Sequence, residues 1–251
     1  MNLAFLIVGA IFLGLVLGLF GSGGSLLSLP LMMHWMGLEP KVAVASSLLL
    51  TGLISVAGVL VPLRRKELCF KNAMTFLFAS LPMSYLGALL GRRIDSKVQI
   101  ISFSILMFLA GIKLLVQKSE KEQVSHCNPR FLPLLLIGAV IGSLTGLVGV
   151  GGGFMIVPAL VLFGGISFPM ATGTSFLLVA ANSLIGFMTY QSSLEIPVVS
   201  ILGLASLAIP FSWMASHFGR RLSSKGMQRS FGVGLLVISF LMIFKVLGIF
   251  I

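Results

Sequence analysis

The chain contains two similar segments, one in each half. Residues 18 to 51 read GLFGSGGSLLSLPLMMHWMGLEPKVAVASSLLLT, and residues 146 to 179 read GLVGVGGGFMIVPALVLFGGISFPMATGTSFLLV. They align without a gap at an offset of 146 − 18 = 128 positions. Further residues recur at the same offset, including Gly14 with Gly142, Ser55 with Ser183, and Pro82 with Pro210. Gene duplication is the simplest cause, so each half should fold into a similar unit.

The composition places both units in a lipid bilayer. Of the 251 residues, 57% are hydrophobic and 9% are charged, and the mean hydropathy is +1.12, so too little polar surface exists to enclose a soluble core. Apolar runs of about 20 residues or more can cross the hydrocarbon region. They lie at 3–36, 42–63, 70–91, 98–116, 131–163, 170–190, 195–216 and 230–251. The runs are too long for barrel strands and lack alternation, which predicts an all-α polytopic membrane protein with about eight transmembrane helices.

The predicted organisation is two tandem four-helix repeats, each with a first helix broken by glycines. Residues 1–116 form the first transmembrane repeat, residues 117–130 (QKSEKEQVSHCNPR) a polar linker, and residues 131–251 the second repeat. An even number of crossings per copy would leave the copies parallel, and an odd number would invert them. The sequence leaves both arrangements open.

Small residues recur every four positions in the first helix of each copy. They are Ala10, Gly14 and Gly18 in the first copy and Gly138, Gly142 and Gly146 in the second. This spacing lines small side chains along one helix face and permits close backbone approach. We expect the two first helices to pack tightly, and packing against each other is one arrangement that would achieve this.

The net charge of +11, from 17 basic and 6 acidic residues, does not indicate nucleic-acid binding. The basic residues form short clusters between apolar spans, at 64–66, at Arg92 and Arg93, and at Arg220 and Arg221, as interfacial anchors do. With four crossings per copy, Lys and Arg divide nine against eight between the faces, and the cluster at 64–66 lies opposite Arg220 and Arg221. The membrane orientation therefore stays open.

Side chains for acid–base, metal or redox chemistry are sparse. The six acidic residues all lie at or near predicted helix ends: Glu39, Glu67, Asp95, Glu120, Glu122 and Glu195. This placement disfavours a carboxylate proton relay and an acidic cation filter. An intramembrane enzyme is the rival class, but the chain lacks an HExxH motif and a carboxylate pair placed for catalysis. Cys69 and Cys127 form no CxxC pair and have no counterparts in the other copy, so neither a metal site, a cofactor nor a disulfide is predicted.

The glycine-rich breaks are the strongest candidates for a binding site. They comprise Gly21, Ser22, Gly23, Gly24 and Ser25 in the first copy, and Gly149, Val150, Gly151, Gly152 and Gly153 in the second. Unpaired backbone groups in a membrane are tolerated only where they face protein or a wet cavity. Helices restarting from about Ser25 and about Phe154 would direct their positive dipole ends at the breaks, which predicts an anion site without a charged side chain. The alternative, glycines that serve only close packing, stays open.

Hydroxyl groups at the start of the next helix could complete the coordination of an oxyanion. Ser46 and Ser47 correspond to Thr174 and Ser175, and Asn182 follows two turns later as an uncharged donor. The competing interpretations are bonds to their own helix backbone for the hydroxyls and an interhelical bond for the amide. His34 and His217 are best placed as interfacial residues.

The two breaks, GLFGSGGSLLSLPLM and GLVGVGGGFMIVPALVLFG, together with the helix openings that follow, resemble the TauE/SafE sulfite exporter family over essentially both copies. The resemblance implies a multi-pass permease of a bacterial inner (cell) membrane. The substrates it implies are small anions, namely sulfite, organosulfonates and related sulfur or carbon oxyanions.

The predicted function is therefore membrane transport of a small anion by a non-enzymatic protein without a cofactor. The expected partners are the anionic substrate and the lipid bilayer, with no nucleic acid, and a homo-oligomer is compatible with the sequence. The alternative function is a membrane scaffold or assembly protein that transports nothing.

Overall fold

The chain folds into helices throughout the part that the structure describes. The computed structural model describes residues 3–20, 25, 27–34, 36–116, 127, 131–148, 153–191, 194–218 and 224–246. Within these residues there are eleven α-helices and no strand. The helices are α1 (Leu3–Phe20), α2 (Ser28–His34), α3 (Pro40–Gly58), α4 (Leu60–Arg64), α5 (Phe70–Arg93), α6 (Ser96–Val116), α7 (Phe131–Val148), α8 (Gly153–Leu162), α9 (Phe168–Gln191), α10 (Val198–Phe218) and α11 (Ser224–Val246). The predicted all-α class is confirmed.

The surface of the bundle is that of a membrane protein. Four helical segments are long and apolar enough to cross a bilayer: Pro40–Arg64, Phe70–Arg93, Phe168–Gln191 and Val198–Phe218. Large apolar side chains stand on the outside, with Phe78 77% and Val199 84% exposed. An apolar surface of this kind is unfavourable in water and favourable in lipid, so the prediction of a polytopic membrane protein is confirmed.

The small residues of α1 and α7 allow close helix packing, as predicted, but with different partners. A Cβ atom at Gly14 of α1 would overlap the carbonyl of Ala208 in α10. A Cβ atom at Gly142 of α7 would overlap the carbonyl of Ser80 in α5. Each first helix thus packs against a helix of the other half instead of against the other first helix. A stripe of small residues marks a face for close approach without specifying its partner.

Helices α3 and α9 cross at the centre of the bundle and run antiparallel. Gly58, at the end of α3, lies against Phe176 in the first half of α9, and Gly186 in the second half of α9 lies against Leu48 at the middle of α3. The two contacts are related by the sequence offset, because 48 + 128 = 176 and 58 + 128 = 186. Equivalent residues of the two halves therefore exchange the same contact.

The last helices of the two halves, α6 and α11, also exchange a contact, at an offset of 232 − 111 = 121 positions. Gly111 of α6 lies against Leu236 of α11, and Gly232 of α11 lies against Leu115 of α6, so this pair is also antiparallel. Corresponding helices of the two halves thus run in opposite directions across the bundle. This is the inverted arrangement, one of the two that the sequence left open.

The short helices α2 and α8 run back along the helices that precede them. Leu147, at the end of α7, lies beside Gly91 near the end of α5. The carbonyl of Gly164, just past α8, instead accepts a hydrogen bond of 2.9 Å from the Asn72 side chain at the start of α5. The chain therefore reverses between α7 and α8, whereas we expected a single broken pass over 131–163. With seven and ten residues, α2 and α8 rise only about 10 and 15 Å.

Hydrogen bonds at the helix ends define the two faces of the bundle. On what we call the linker face, where α4 and α10 end and α5 begins, Arg65 donates to the Ser216 carbonyl at 3.2 Å and lies 2.7 Å from Nδ1 of His217. On the opposite face, Lys41 at the start of α3 donates to the Arg92 carbonyl at 2.8 Å. Since α10 ends on the same face as the cluster at 64–66, the structure corrects the count, which assumed that this helix ends on the opposite face.

A disulfide joins Cys69 and Cys127 on the linker face, with their Cα atoms 5.7 Å apart. The sequence did not predict this pair. The two residues are separated by 58 positions and carry no spacing motif. They meet because α6 returns the chain to the face where α5 began, and that return depends on the tertiary fold.

Candidate functional site

The two glycine-rich segments lie mostly outside the described residues, which exclude 21–24 and 149–152. Their last residues, Ser25 and Gly153, are described, and both are buried. Gly153 is the first residue of α8, and the Ser25 hydroxyl has no hydrogen-bond partner. The predicted role of Gly21, Ser22, Gly23, Gly24, Gly149, Gly151 and Gly152 accordingly stays a prediction.

A chain of hydroxyls holds the entry to α2 against α3. Thr51 Oγ1 donates to Ser28 Oγ at 3.2 Å, and Ser28 Oγ donates to the Ser25 carbonyl. All three residues are buried. These bonds fix the segment that follows the first glycine cluster at mid-depth of α3. Sequence reasoning missed Ser28 and Thr51 because their counterparts, Ile156 and Val179, are apolar.

The hydroxyl groups predicted at the helix openings do not come together. Antiparallel packing of α3 and α9 puts Ser46 and Ser47 near one end of the pair and Thr174 and Ser175 near the other, about 20 Å apart at 1.5 Å per residue. Ser47 donates to the Val44 carbonyl at 2.9 Å, and Ser175 donates to the Thr172 carbonyl at 2.7 Å. These two hydroxyls therefore make the local backbone bonds that were the competing interpretation.

Thr174 has a clear structural partner. Its Oγ1 accepts a hydrogen bond of 3.0 Å from the backbone N–H of Cys69, and both residues are fully buried. The bond fastens the segment before α5 to the start of α9. Ser46 differs from the other three, because its buried hydroxyl has no hydrogen-bond partner.

Asn182 is the most unusual polar residue among those described. It is fully buried in α9, and neither Nδ2 nor Oδ1 has a hydrogen-bond partner. Its backbone carbonyl accepts a long bond of 3.4 Å from Ser84 of α5. Leaving a buried amide unpaired costs about 1–3 kcal/mol for each group, so such a residue needs a ligand, a water molecule or another explanation.

Further buried hydroxyls without a partner surround the centre of the bundle. They are Ser55, Ser80, Thr145, Ser183 and Ser212. Sequence reasoning did not assign them to the site, although Ser55 and Ser183 recur at the 128-residue offset. In contrast, none of the charged side chains whose burial the structure describes is buried. The interior can therefore offer neutral donors and acceptors, and the described cations stay at the helix ends.

This fold, with an apolar exterior, helices in opposed directions and buried unpaired polar groups at mid-depth, defines a polytopic membrane protein. A sequence profile described as Sulfite exporter TauE/SafE matches residues 6–242. The chain belongs to the TauE/SafE family and is a membrane transporter.

Relatives support the same class. A "Probable membrane transporter protein" of Xylella fastidiosa is 28% identical over 182 residues, covering 70% of this chain and 69% of the relative. The "Probable membrane transporter protein YunE" of Bacillus subtilis is 24% identical over 252 residues and covers 90% of each chain. A further relative from Methanocaldococcus jannaschii is 28% identical over 238 residues, covering 89% and 87%. No solved structure matches the chain.

Proposed function

We propose that this transporter carries small anions, with sulfite, organosulfonates and related oxyanions as the substrate class, and that they bind beside the glycine-rich segments. The observation that carries the proposal is the fully buried Asn182 amide, unpaired at both polar atoms. The family description, sulfite exporter, supplies the substrate class.

Neutral groups are a sound basis for an anion site at this depth. Backbone N–H groups at the start of a helix, an amide and hydroxyls stabilise an oxyanion by hydrogen bonds and dipoles. They bind without the full charge that is costly in a bilayer, and a ligand held only by dipoles can also be released.

The site that we propose comprises both glycine-rich segments, with Ser25, Gly153, Ser46 and Asn182 as neighbouring groups. Thr174 and Ser175 take part in it less directly, since their hydroxyls hold local structure. The transporter needs no cofactor in this scheme.

The test is anion flux through the purified full-length chain in proteoliposomes. The panel is sulfite, sulfate, thiosulfate, an alkyl sulfonate and a small carboxylate, each with and without a pH gradient. We expect saturable flux of at least one anion, and Gly151→Val should abolish it by filling the segment before α8 with a side chain.

The matched control is Gly203→Val, because Gly203 lies exposed on α10 and a Cβ atom added there would meet no other atom within 4 Å. Both variants must remain monodisperse and helical. Absence of flux for the whole panel in folded wild-type protein would contradict the proposal and favour a scaffold that transports nothing.

A further inference from the structure

Apart from the last helix of each half, the two halves make the same contacts with exchanged partners, so their buried residues have definite counterparts. Gly18 of α1 packs on Ser212 of α10, and Gly146 of α7 packs on Ser84 of α5. These pairs coincide after the 128-residue shift, because 18 + 128 = 146 and 84 + 128 = 212. The surroundings of the two glycine-rich segments can therefore be compared residue by residue.

A polar set in the second half, Asn182 and Thr145, replaces an apolar set in the first. Asn182 corresponds to Ile54, and Thr145 corresponds to Leu17. All four side chains are buried, with at most 2% exposed. The unpaired amide of α9 and hydroxyl of α7 are thus replaced by hydrocarbon in α3 and α1. The first half has its own buried polar residues elsewhere, at Ser25, Ser28 and Thr51.

The polar set converges on the start of α8. Ile141 of α7, Val157 of α8 and Leu178 of α9 belong to one buried apolar cluster. Thr145, Gly153 and Asn182 each lie four residues, or about one helical turn, from one of these three.

The helix directions place those three residues on the same side of the cluster. The Tyr190 hydroxyl donates to the Leu147 carbonyl at 3.3 Å, so the ends of α7 and α9 lie together, while α8 runs the opposite way. Thr145 and Asn182 lie one turn after the cluster residues of α7 and α9, and Gly153 lies one turn before that of α8. Because α8 runs in the opposite direction, all three residues lie at the same depth in the bundle. At that level the glycine-rich segment enters α8.

The two short helices also differ as anion sites. Helix α8 has ten residues and begins at a buried glycine, whereas α2 has only seven. The Ser28 hydroxyl, in the first turn of α2, donates to the Ser25 carbonyl. A helix as short as α2 offers a weak dipole, so the second segment is the stronger site.

Resting on the proposed function, we propose that the anion binds at one site only, formed by Asn182, Thr145 and the start of α8, and that this site selects singly charged oxyanions. The N–H groups of Asn182, the Thr145 hydroxyl and the first N–H groups of α8 donate to oxygen atoms of the anion. Among the side chains whose burial the structure describes, no buried cation offsets a second negative charge. The cost of transferring a charge from water rises with the square of the charge.

The experiment measures binding and flux in the same full-length protein. Titration calorimetry in detergent and proteoliposome flux are run with an alkyl sulfonate, sulfite and sulfate. We expect tighter binding of the sulfonate than of sulfate at every pH, and sulfite binding that strengthens as pH falls and the monoanion accumulates. Equal or tighter binding of sulfate would overturn the charge selectivity.

Asn182→Ile tests the location, since it copies the residue of the other half. We expect at least a tenfold loss of affinity with unchanged or higher thermal stability, because the variant removes an unpaired buried amide. The matched variant Ile54→Val should leave affinity unchanged within twofold. Unchanged affinity in Asn182→Ile, or an equal loss in both variants, would overturn the single site.

The two readouts separate this inference from the proposed function. Wild-type flux that survives in Asn182→Ile would refute the site and leave anion transport standing. Wild-type binding without any flux would refute transport and leave the site standing. Wild-type protein that binds none of the three anions overturns the site.

Discussion

Thr174 shows how a side chain can be correctly chosen from a pattern and still have another task. The recurrence with Ser46 marked it as a polar group retained in an apolar helix. Its position relative to Cys69, more than 100 residues away along the chain, could not be read from periodicity. The amide of Asn182 is the converse case, because the sequence showed its polarity and the fold then left it without a partner.

Thr174→Val should destabilise the protein. The substitution keeps the shape of the side chain but leaves the buried N–H of Cys69 without an acceptor, which costs about 1–3 kcal/mol. Thermal unfolding in detergent measures the change as a lower midpoint. Thr172→Val is the matched control, since its Oγ1 bonds only within α9, to the Phe168 carbonyl, and a change near zero is expected. Equal midpoints for the two variants would show that the bond to Cys69 is unimportant.

At the scale of helices, the sequence predicted which faces approach closely and missed what they approach. The four-residue spacing of Gly138, Gly142 and Gly146 indicated one contact face of α7. It could not name α5 as the partner, because any helix with accessible backbone satisfies a small-residue stripe. Likewise, consecutive glycines indicated a break, but a backbone free of side chains is compatible with a bend or with the reversal seen between α7 and α8.

Gly146→Ala should disrupt the packing of α7 on α5. The added methyl group would overlap the Ser84 carbonyl and lie 2.7 Å from the backbone nitrogen of Ala88, and backbone cannot move aside as a flexible side chain can. Overpacking of this kind costs about 1–3 kcal/mol or more. We expect a lower unfolding temperature and a smaller yield of monodisperse protein.

Gly203→Ala provides the control at equal chemistry. Gly203 lies in α10 with open space around it, so alanine should be neutral or slightly stabilising through its better helix propensity. A Gly146→Ala variant as stable as Gly203→Ala would mean that α5 and α7 are farther apart than the structure shows.

At the scale of the molecule, helix direction decides the charge balance between the two faces. The sequence count assumed four passes per copy, which gave nine basic residues against eight. The inverted arrangement puts the end of α10 on the linker face. Twelve basic residues belong to the helix ends of that face or follow or precede them in the sequence. They are Arg64, Arg65, Lys66, Lys71, Lys113, Lys118, Lys121, Arg130, Arg220, Arg221, Lys225 and Arg229. Those of the opposite face are Lys41, Arg92, Arg93, Lys97 and Lys245.

Twelve basic residues against five predict that the linker face is cytoplasmic, because Lys and Arg concentrate on that side of a membrane. Helix α11 ends on the opposite face. Alkaline phosphatase fused after residue 251 should therefore be active, and green fluorescent protein fused there should not fluoresce. Fusions within residues 117–126 should give the reverse: inactive phosphatase and fluorescent protein. The inverse result for both fusions would mean the opposite orientation.

The cysteine pair gives the same prediction an independent readout. On a cytoplasmic face, Cys69 and Cys127 are kept as thiols by the reducing compartment, and the disulfide of the structure forms when an oxidant is added. Rapid acid quenching of growing cells, followed by maleimide labelling, should show two free thiols, and treatment with a thiol oxidant should remove both together. Cys127→Ser is the control that leaves one thiol under either condition. A pair already oxidised in untreated cells would place the linker face outside the cytoplasm. That result would contradict the orientation predicted from the distribution of basic residues.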